Sequence, residues 1–426
     1  MGFNEKWQQI KDLLTKDKEK KKKKKPTKRE LREKKYKTWE IRTVKSGMEN
    51  PHMGLYVHIP FCSKKCDYCD FVSYSMDEEA QRKYLDALKQ EIDTLAIKFS
   101  SKTFNSLYIG GGTPSIVFDG FIRELSKKLF SSFHFVEGFE FTIEINPSSV
   151  TEAKLFEYLQ SGVNRVSMGV QCLDSKLLRK LGRIQSIENI DNAFRLLHKM
   201  KFTNIGSDVM IGLPNQTLKS VKETINYLIK QNVKHVSVYT LQIENHTLLF
   251  DRVQQGKVKP LSDEMCLKMY NMVYRMLKKS GFIRYEVSNF SKPTFESMHN
   301  FKYWNEVEYI GLGVSAHSYI GNYRYCNTKR LDNYIENIEI GELPIESKEY
   351  LNFEERRTER IMLSMRLASG LNLEKFKEDF KEDLLKSRAD NIRRLIEMNL
   401  IKIENGFLKL TEDSFYVSNS IIMELL

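Results

Sequence analysis

Cysteine is scarce in this sequence, and its distribution is uneven. The chain has 6 cysteines among 426 residues, which are too few and too scattered for the disulfide framework of a small secreted domain. Three of them lie between Cys62 and Cys69, whereas Cys172, Cys266 and Cys326 stand alone. Single thiols together with a clustered triplet are typical of a reducing compartment and of a metal site, so we expect a cytoplasmic protein.

A membrane-spanning segment is also missing from the sequence, although one segment could touch a membrane surface. No run of about 18 apolar residues occurs, which excludes a spanning helix. The segment Lys16–Lys37 contains 14 Lys/Arg against 4 Asp/Glu, so that it accounts for +10 of the net charge of +12. This composition predicts a disordered extension over residues 1–52. A solubilising tail is the first interpretation; peripheral contact with anionic lipid is the alternative, and nucleic acid is not an expected partner.

The clustered cysteines have the spacing C-x3-C-x2-C, formed by Cys62, Cys66 and Cys69. Three thiolates at this spacing can ligate three irons of a [4Fe–4S] cluster and leave the fourth iron open to a small molecule. Zinc is the alternative, but structural zinc usually takes four ligands, often in C-x2-C pairs. The triplet resembles the signature of the radical S-adenosylmethionine (SAM) superfamily, in which SAM occupies the open iron.

Short apolar strands alternate with helical segments from Met53 onward. The predicted strands are Leu55–Ile59, Ser106–Ile109, Phe141–Ile145, Arg165–Val170, Ile205–Ile211 and His235–Leu241. The segments between them, such as Glu79–Ile97 and Val221–Gln231, are long enough for helices. Six strand–helix units of this kind form a parallel sheet through right-handed crossovers. The sequence therefore predicts an α/β fold with a partial (β/α)6 barrel, a TIM-like barrel short of closure.

Polar residues and glycines lie within or directly after the predicted strands, on one rim of the predicted barrel. In barrels of this type the active site lies at the carboxyl ends of the strands. The residues in question are the cysteine triplet, Gly110–Pro114, Glu144, Gln171, Asp208 and Gln242. Consecutive glycines let a ligand approach the backbone closely, and carboxylate and amide groups can bind a polar cofactor. The pattern predicts a cofactor site on this rim.

Taken together, the motifs resemble those of the oxygen-independent coproporphyrinogen III oxidase family within the radical SAM superfamily. The resemblance covers about residues 54–420 and rests on Tyr56–Cys62, the Gly110–Pro114 loop and Gly212–Thr217. The family has two branches, the oxidases and the HemW-type haem chaperones. The oxidases carry a fourth cysteine where this chain has Phe71, and a substrate-contacting arm that residues 1–52 do not resemble.

The resemblance implies that SAM is contacted from several strand ends. The implied cofactor-binding residues on the rim are Tyr56, Phe71, Gly111, Gly112, Thr113, Glu144, Gln171, Arg183, Asp208 and Gln242. Tyr56 and Phe71 are expected to shield the cluster from solvent. The family often has histidine where this chain has Gln185, so we expect SAM binding through Arg183 but no proton transfer by Gln185.

A second motif favours the chaperone branch. Residues His299–Trp304 match H-N-x-x-Y-W, a pattern characteristic of HemW-like proteins. An imidazole can ligate haem iron, and aromatic rings can stack on a porphyrin. The alternative is that Tyr303 and Trp304 are core residues and that His299 is a hydrogen-bonded structural residue. The resemblance favours a haem-related role for His299, Tyr303 and Trp304.

The carboxyl-terminal part has the pattern of a separate small domain. Phe353–Leu367 and Ala389–Met398 have helical periodicity, and Asn405-Gly406 between alternating apolar runs predicts a hairpin. Helices followed by a hairpin indicate a winged-helix-like α+β module. The predicted organisation is an extension at 1–52, a radical SAM core barrel at 53–290, a barrel-covering segment at 291–351 and the small domain at 352–426.

Three functions are compatible with these patterns. The first, favoured by Phe71 and the HNxxYW motif, is a chaperone that binds haem, a [4Fe–4S] cluster and SAM, and delivers haem to apo-haemoproteins such as respiratory enzymes. The second is a coproporphyrinogen III dehydrogenase, which uses a 5′-deoxyadenosyl radical for oxidative decarboxylation and needs an electron donor. The third is an RNA-modifying radical SAM enzyme, but methylthiotransferases of that kind need three more clustered cysteines.

Overall fold

The computed structural model describes residues 52–75 and 77–426. The predicted Lys-rich extension therefore lies outside the described residues, apart from His52. The described chain forms two compact units, one made of residues 52–284 and 288–352, the other including 285–287 and 353–426. The barrel-covering segment predicted at 291–351 belongs to the same unit as the six predicted strands.

The larger unit is built on one twelve-stranded sheet. Its strands are β1 (Met53–Ile59), β2 (Thr103–Gly111), β3 (His134–Ile145), β4 (Arg165–Gln171), β5 (Ile205–Ile211), β6 (His235–Thr240), β7 (Ile283–Arg284), β8 (Asn289–Ser291), β9 (Tyr309–Leu312), β10 (His317–Ile320), β11 (Tyr323–Asn327) and β12 (Ile345–Tyr350). They are arranged in the order β12-β11-β10-β9-β1-β2-β3-β4-β5-β6-β8-β7. The six predicted strands are thus confirmed as neighbours in chain order.

Helices connect these strands. In the larger unit they are α1 (Glu78–Lys98), α2 (Phe121–Ser132), α3 (Glu152–Gln160), α4 (Ser175–Arg179), α5 (Ile187–Lys199), α6 (Leu218–Lys230), α7 (Leu248–Gln254), α8 (Asp263–Lys279), α9 (Met298–Trp304) and α10 (Leu331–Glu339). The crossover helices have amphipathic sequences, which is why each can cover the sheet with one face. In α1, for example, Tyr84, Leu88 and Ile92 are buried at helical spacing, and the Asp77 side chain caps the first turn by accepting from the Ala80 amide.

Strands β1 to β6 are parallel to one another, and β9 lies parallel to β1 on its other side. Antiparallel strands then extend the sheet at both ends. Within the described residues, β12 and β7 are the terminal strands, so that the sheet forms a partial barrel, as predicted. This arrangement brings the carboxyl ends of the parallel strands together on one rim.

The inward faces of the parallel strands are unusually polar. Alternation along a strand places residues i and i+2 on one face, and hydrogen bonds between neighbouring strands identify the inner one. Ser167 on β4 donates to Asp208 on β5 at 3.3 Å, and Arg165 on β4 donates to Thr142 on β3 at 3.3 Å. The apolar alternate residues face the crossover helices and form the core, so the interior of the barrel is left for polar groups.

The smaller unit contains helices α11 (Phe353–Ser364), α12 (Leu373–Phe380), α13 (Leu384–Ser387), α14 (Ala389–Glu397) and α15 (Ser418–Met423). Its sheet has the order β13-β15-β14, with β13 (Leu371–Asn372), β14 (Ile401–Glu404) and β15 (Phe407–Leu410). The predicted hairpin is confirmed, since Asn405 (φ 53°) and Gly406 (φ 80°) form the left-handed turn between β14 and β15. This is the expected winged-helix-like module.

None of the helices that the structure describes combines the length and the apolar character that a membrane crossing requires.

Candidate cofactor site

The cysteine loop leaves β1 at its carboxyl end and is closed by backbone hydrogen bonds. Tyr74 brackets the loop, because its amide donates to the Pro60 carbonyl (2.7 Å) and its carbonyl accepts from the Cys62 amide (3.0 Å). Within the loop, the Cys69 amide donates to the Cys66 carbonyl at 3.1 Å. The three thiols are therefore carried on a loop with fixed ends at the rim.

All three thiols are partly buried and free of disulfides. Burial raises the pKa of Cys62 and of Cys69, and the neighbouring thiols of the triplet raise both further. The Cys62 Sγ also lies 3.5 Å from the Thr113 hydroxyl of the glycine loop. Among residues 52–75 and 77–426, no three His, Cys, Asp or Glu side chains are arranged as a ready-made metal site. The assignment of Cys62, Cys66 and Cys69 as iron ligands thus comes from their spacing on one loop and from the family.

The glycine loop packs directly against the cysteine loop. The Gly112 amide donates to the Ile59 carbonyl at 2.8 Å, and the Thr113 amide donates to the Phe61 carbonyl at 2.7 Å. A Cβ atom at Gly112 would lie 2.7 Å from the Phe61 carbonyl oxygen, and Gly111 has φ 110°. Only glycine permits this approach of two backbones, which explains the run of glycines physically.

Glu144, near the end of β3, lies inside the barrel next to the glycine loop. It accepts hydrogen bonds from the Tyr108 hydroxyl at 2.7 Å and from the Gly111 amide at 3.1 Å. Burial raises the pKa of Glu144 to about 7, and the nearby Asp208 carboxylate raises it as well. Burial also raises the pKa of Asp208. Arg165 lowers both pKa values and Arg183 lowers that of Asp208, but burial raises them more, so additional positive charge from a ligand would stabilise the two carboxylates.

Gln171 ends β4, and the side chain of Arg183 reaches this strand from the loop after α4. The Arg183 guanidinium donates to the Gly169 carbonyl and to the Gln185 side chain, both at 2.7 Å, and approaches the Tyr68 hydroxyl at 3.5 Å. Gln171 leaves the strand with φ 61°, and its buried Oε1 has no hydrogen-bond partner. Buried amide oxygens are rarely left unpaired. This orphan acceptor is a position at which a ligand donor would fit.

Two residues that the sequence did not assign to the site support it. His58 shares a hydrogen bond between its Nδ1 and the Tyr56 hydroxyl (3.0 Å), and its Nε2 lies 3.3 Å from the Val72 carbonyl in the cysteine loop. Burial lowers the pKa of His58 to about 4, so the ring is neutral. Tyr68 contacts Arg183 as described above. The position of His58 two residues after Tyr56 on the same strand face is the signal that could have identified it.

Two predicted site residues are not enclosed. The Phe71 side chain is 65% exposed, so it does not shield the cysteine loop as expected. Gln242 is exposed and follows β6, which ends at Thr240. Both lie in loop segments beyond a strand end, where strand periodicity does not fix the direction of a side chain.

The HNxxYW motif forms α9, which lies inside the barrel on the amino side of Glu144. His299 is 1% exposed. Its Nδ1 lies 2.9 Å from the Ser106 hydroxyl and its Nε2 lies 2.9 Å from the Tyr303 hydroxyl. Burial lowers the pKa of His299 to about 3, and the neighbouring Lys302 lowers it further. Trp304 ends the helix. The structure therefore separates this motif from the exposed part of the rim.

The rim residues fit a cluster and SAM on three grounds. The thiols share one loop, the glycine loop leaves no room for a side chain beside it, and Gln171 has an unpaired buried acceptor. The carboxylates Glu144 and Asp208 suit the amino and ribose hydroxyl groups of such a cofactor, since both groups can donate hydrogen bonds.

Comparisons with known proteins agree with this geometry. The radical SAM superfamily model matches residues 56–228, and the HemN C-terminal domain model matches residues 351–417. The heme chaperone HemW of Bacillus subtilis (strain 168) is 33% identical over 371 residues, covering 86% of this chain and 97% of that protein. The heme chaperone HemW of Lactococcus lactis subsp. lactis is 32% identical over 374 residues, covering 87% and 96%.

A solved structure supports the fold over nearly the same range. It is the coproporphyrinogen III oxidase (HemN) of Escherichia coli, a radical SAM enzyme, with a TM-score of 0.77 and 24% identity. The match covers 90% of this chain and 92% of that chain. At this identity the likeness concerns the fold alone.

Proposed function

Since the chain belongs to the HemW family of the radical SAM superfamily, we propose that it is a haem chaperone that binds haem and delivers it to apo-haemoproteins. The observation that carries the proposal is the likeness to two heme chaperones over 86% and 87% of the chain. We propose respiratory enzymes as the acceptors and a reducing, cytoplasmic location. The family also implies a [4Fe–4S] cluster and SAM as cofactors.

Cys62, Cys66 and Cys69 are the proposed ligands of the cluster. When bound, such a cluster offers one iron without a protein ligand, which is available to SAM. The chain's own part is to hold the three thiols on a loop with fixed ends and to press the glycine loop against them. The Thr113 hydroxyl lies close enough to the Cys62 Sγ to hydrogen-bond with it, an outer contact of the kind that tunes a metal site.

The proposed SAM contacts come from the neighbouring strands β3, β4 and β5 and from the loop after α4. Glu144 and Asp208 supply negative charge, Gln171 supplies the unpaired amide oxygen, and Arg183 supplies positive charge for the carboxylate of SAM. Arg183 is half-buried and is held by the Gly169 carbonyl and by Gln185, so its position is fixed before a ligand binds. Gln185 thus orients Arg183. This role needs a hydrogen-bond acceptor but no proton transfer, so a glutamine can fill it.

The alternative function is that of an oxygen-independent coproporphyrinogen III dehydrogenase. Its only structural support is the fold likeness to the Escherichia coli oxidase, and this likeness at 24% identity does not extend to activity. Phe71 occupies the place of the fourth cysteine of the oxidases and is exposed. Both points favour the chaperone.

One experiment separates the two functions. The full chain is purified without oxygen, its cluster is reconstituted, and it is titrated with haem while a parallel sample receives coproporphyrinogen III, SAM and a reductant. A chaperone binds haem stoichiometrically, forms no vinyl product and transfers haem to an apo-haemoprotein. Multiple turnovers to the vinyl product and 5′-deoxyadenosine, without stable haem binding, would establish the dehydrogenase instead.

A further inference from the structure

Helix α9, which carries the HNxxYW motif, is anchored inside the barrel by a residue of β3. Glu140 accepts hydrogen bonds from the Met298 amide (2.9 Å), the His299 amide (3.1 Å) and the Ser297 hydroxyl (3.2 Å). One carboxylate therefore accepts from two of the amide groups that are otherwise unsatisfied at a helix start. Because Glu140 and Glu144 lie four residues apart on β3, the strand that holds α9 also carries the proposed SAM-binding carboxylate.

The other end of α9 is tied to β1. The Lys302 ammonium donates to the His52 carbonyl at 2.8 Å, just before β1 begins. A Cβ atom at Gly54 would lie 2.6 Å from the Lys302 Cδ, so the lysine stem runs directly over the strand. The helix is thus fixed at both ends, and its residues cannot swing away from the barrel interior without losing buried hydrogen bonds.

The His299 ring is held between two strands and its own helix. Its two nitrogens are engaged by the Ser106 hydroxyl and the Tyr303 hydroxyl, each at 2.9 Å. The ring stacks on Tyr108, with centroids 5.3 Å apart and planes inclined by 29°, and lies at 6.4 Å from the Tyr56 ring in the same orientation. The His299 ring therefore packs against both tyrosine rings and helps to fix their positions.

Tyr108 connects the His299 ring to the cofactor site. Its hydroxyl donates to Glu144 Oε1 at 2.7 Å, and the other oxygen of Glu144 accepts from the Gly111 amide. Among the described residues, Tyr108 is the one side chain that donates a hydrogen bond to Glu144. A shift of the Tyr108 ring would therefore move or release the Glu144 carboxylate.

We propose that His299 is a positioning residue for the SAM site, which fixes Tyr108 and thereby Glu144, and that it does not ligate haem iron. The inference rests on the proposed role of Glu144 in SAM binding. Ligation of iron by His299 would break its bond to Ser106 or to Tyr303 and leave a buried hydroxyl without a partner. It would also require a haem to reach a side chain that is 1% exposed.

The test measures SAM affinity and haem binding in the same variants of the full, cluster-reconstituted chain. SAM binding is measured by equilibrium dialysis, and haem binding by titration of the Soret band. The variants are His299→Ala, His299→Gln, Tyr108→Phe and the double variant His299→Ala/Tyr108→Phe. His198→Ala is the matched control, because His198 is an exposed histidine at the end of α5.

We expect His299→Ala to weaken SAM binding by about tenfold, the effect of roughly one or two lost buried hydrogen bonds. His299→Gln, which keeps a donor and an acceptor, should restore most of the affinity. The double variant should bind SAM about as weakly as the weaker single variant, since both changes release the same carboxylate. In all of these variants, as in the control, the haem affinity and the position of the Soret band should equal those of the wild-type protein.

Other outcomes overturn the inference. A shifted Soret band or lost haem binding in His299→Ala, with SAM affinity kept, would make His299 a haem ligand. Multiplied losses in the double variant would show that His299 does not act through Tyr108. If His299→Ala does not fold, Tyr303→Phe replaces it in the same cycle, because it removes one partner of the ring and leaves the helix intact. A wild-type chain that binds no SAM would refute the proposed SAM site together with this inference, and one that binds no haem would refute the proposed chaperone function. SAM binding unaffected by these changes would refute the inference alone.

Discussion

The Tyr108 hydroxyl donates a hydrogen bond of 2.7 Å to Glu144 Oε1 within the barrel interior. This bond favours the ionised carboxylate, but burial and the neighbouring Asp208 oppose ionisation more strongly, so the pKa of Glu144 rises to about 7. Arg165 and Arg183 offset this only in part, so the two buried carboxylates are a cost to the fold near neutral pH. A cationic ligand would remove part of this cost.

The pH dependence of stability follows from this raised pKa. A carboxyl group with a folded-state pKa above its unfolded value of 4.5 binds protons more tightly in the folded chain, so its contribution to stability falls as the pH rises from about 4.5 to about 7. We expect Glu144→Gln to remove this decline. Between pH 5 and pH 8 its free energy of unfolding should rise by up to about 3 kcal/mol relative to that of the wild-type protein. The measurement is urea unfolding at a series of pH values.

The exposed Glu336 on α10 provides the control for that series. Glu336→Gln should run parallel to the unchanged chain at every pH. A Glu144→Gln variant that also runs parallel would contradict the raised pKa of Glu144.

The six parallel strands could be predicted because their apolar runs are regular and end in recognisable polar or glycine residues. The exception is β3, which starts at His134, seven residues before the predicted Phe141. Glu137 and Gly138 resemble a turn in the sequence, yet Thr103 of β2 pairs with His134, and the register shifts further along. That pairing is a contact distant in sequence, which local pattern does not contain.

The sequence predicts which residue types form the site, but not which of them are buried inside the barrel. Glu144 was predicted because it lies near the end of a strand, and Arg183 because of the family resemblance; the structure brings both to the same side of the sheet as Asp208. The place of His299 was not predicted, since a buried histidine bound to Ser106 and Tyr303 and a haem ligand give the same six-residue pattern. Whether His299 is a structural residue or a haem ligand depends on where α9 lies relative to the barrel. Glu140 on β3, which is distant in sequence, fixes that location through its hydrogen bonds to the start of α9.

Loss of any cysteine of the triplet should abolish the cluster. We expect Cys62→Ser, Cys66→Ser and Cys69→Ser to lower iron after anaerobic reconstitution from about four per chain to near zero, because two remaining thiolates do not hold a [4Fe–4S] cluster. Iron and sulfide analysis with the visible absorption spectrum provides the measurement. Cys326→Ser, at a buried cysteine on β11, is the control, and this variant should keep its iron. Full iron in any one of the three loop variants would remove that cysteine from the ligand set.

The glycine loop should tolerate no side chain at Gly112. A Cβ atom there would lie 2.7 Å from the Phe61 carbonyl oxygen and 2.9 Å from that of Ile59, and backbone atoms cannot yield as a flexible side chain can. We expect Gly112→Ala to separate the glycine and cysteine loops and to weaken SAM binding by about tenfold or more, a loss of over 1 kcal/mol. Equilibrium dialysis with the reconstituted chain would show it.

Gly138→Ala is the matched control for this prediction. Gly138 has φ 73°, but nothing lies within 4 Å of its Cβ position. The substitution should cost about 1 kcal/mol of stability through its backbone conformation and leave SAM affinity unchanged. Equal SAM affinities for Gly112→Ala and Gly138→Ala would show that the approach of the two loops does not matter for the ligand.

The strongest effect on stability alone is expected at Glu91 of α1. This buried carboxylate accepts from the Tyr334 hydroxyl (2.7 Å), the Gly313 amide (2.8 Å) and the Asn327 side chain (2.8 Å). Glu91→Ala leaves three buried donors without their acceptor, whereas Tyr334→Phe removes one donor and leaves the carboxylate with two. We therefore expect a loss of at least about 3 kcal/mol for Glu91→Ala and of about 1 kcal/mol for Tyr334→Phe. Urea unfolding at pH 6 measures both, and similar losses for the two variants would show that the carboxylate does not organise this contact between α1, β11 and the loop after β9.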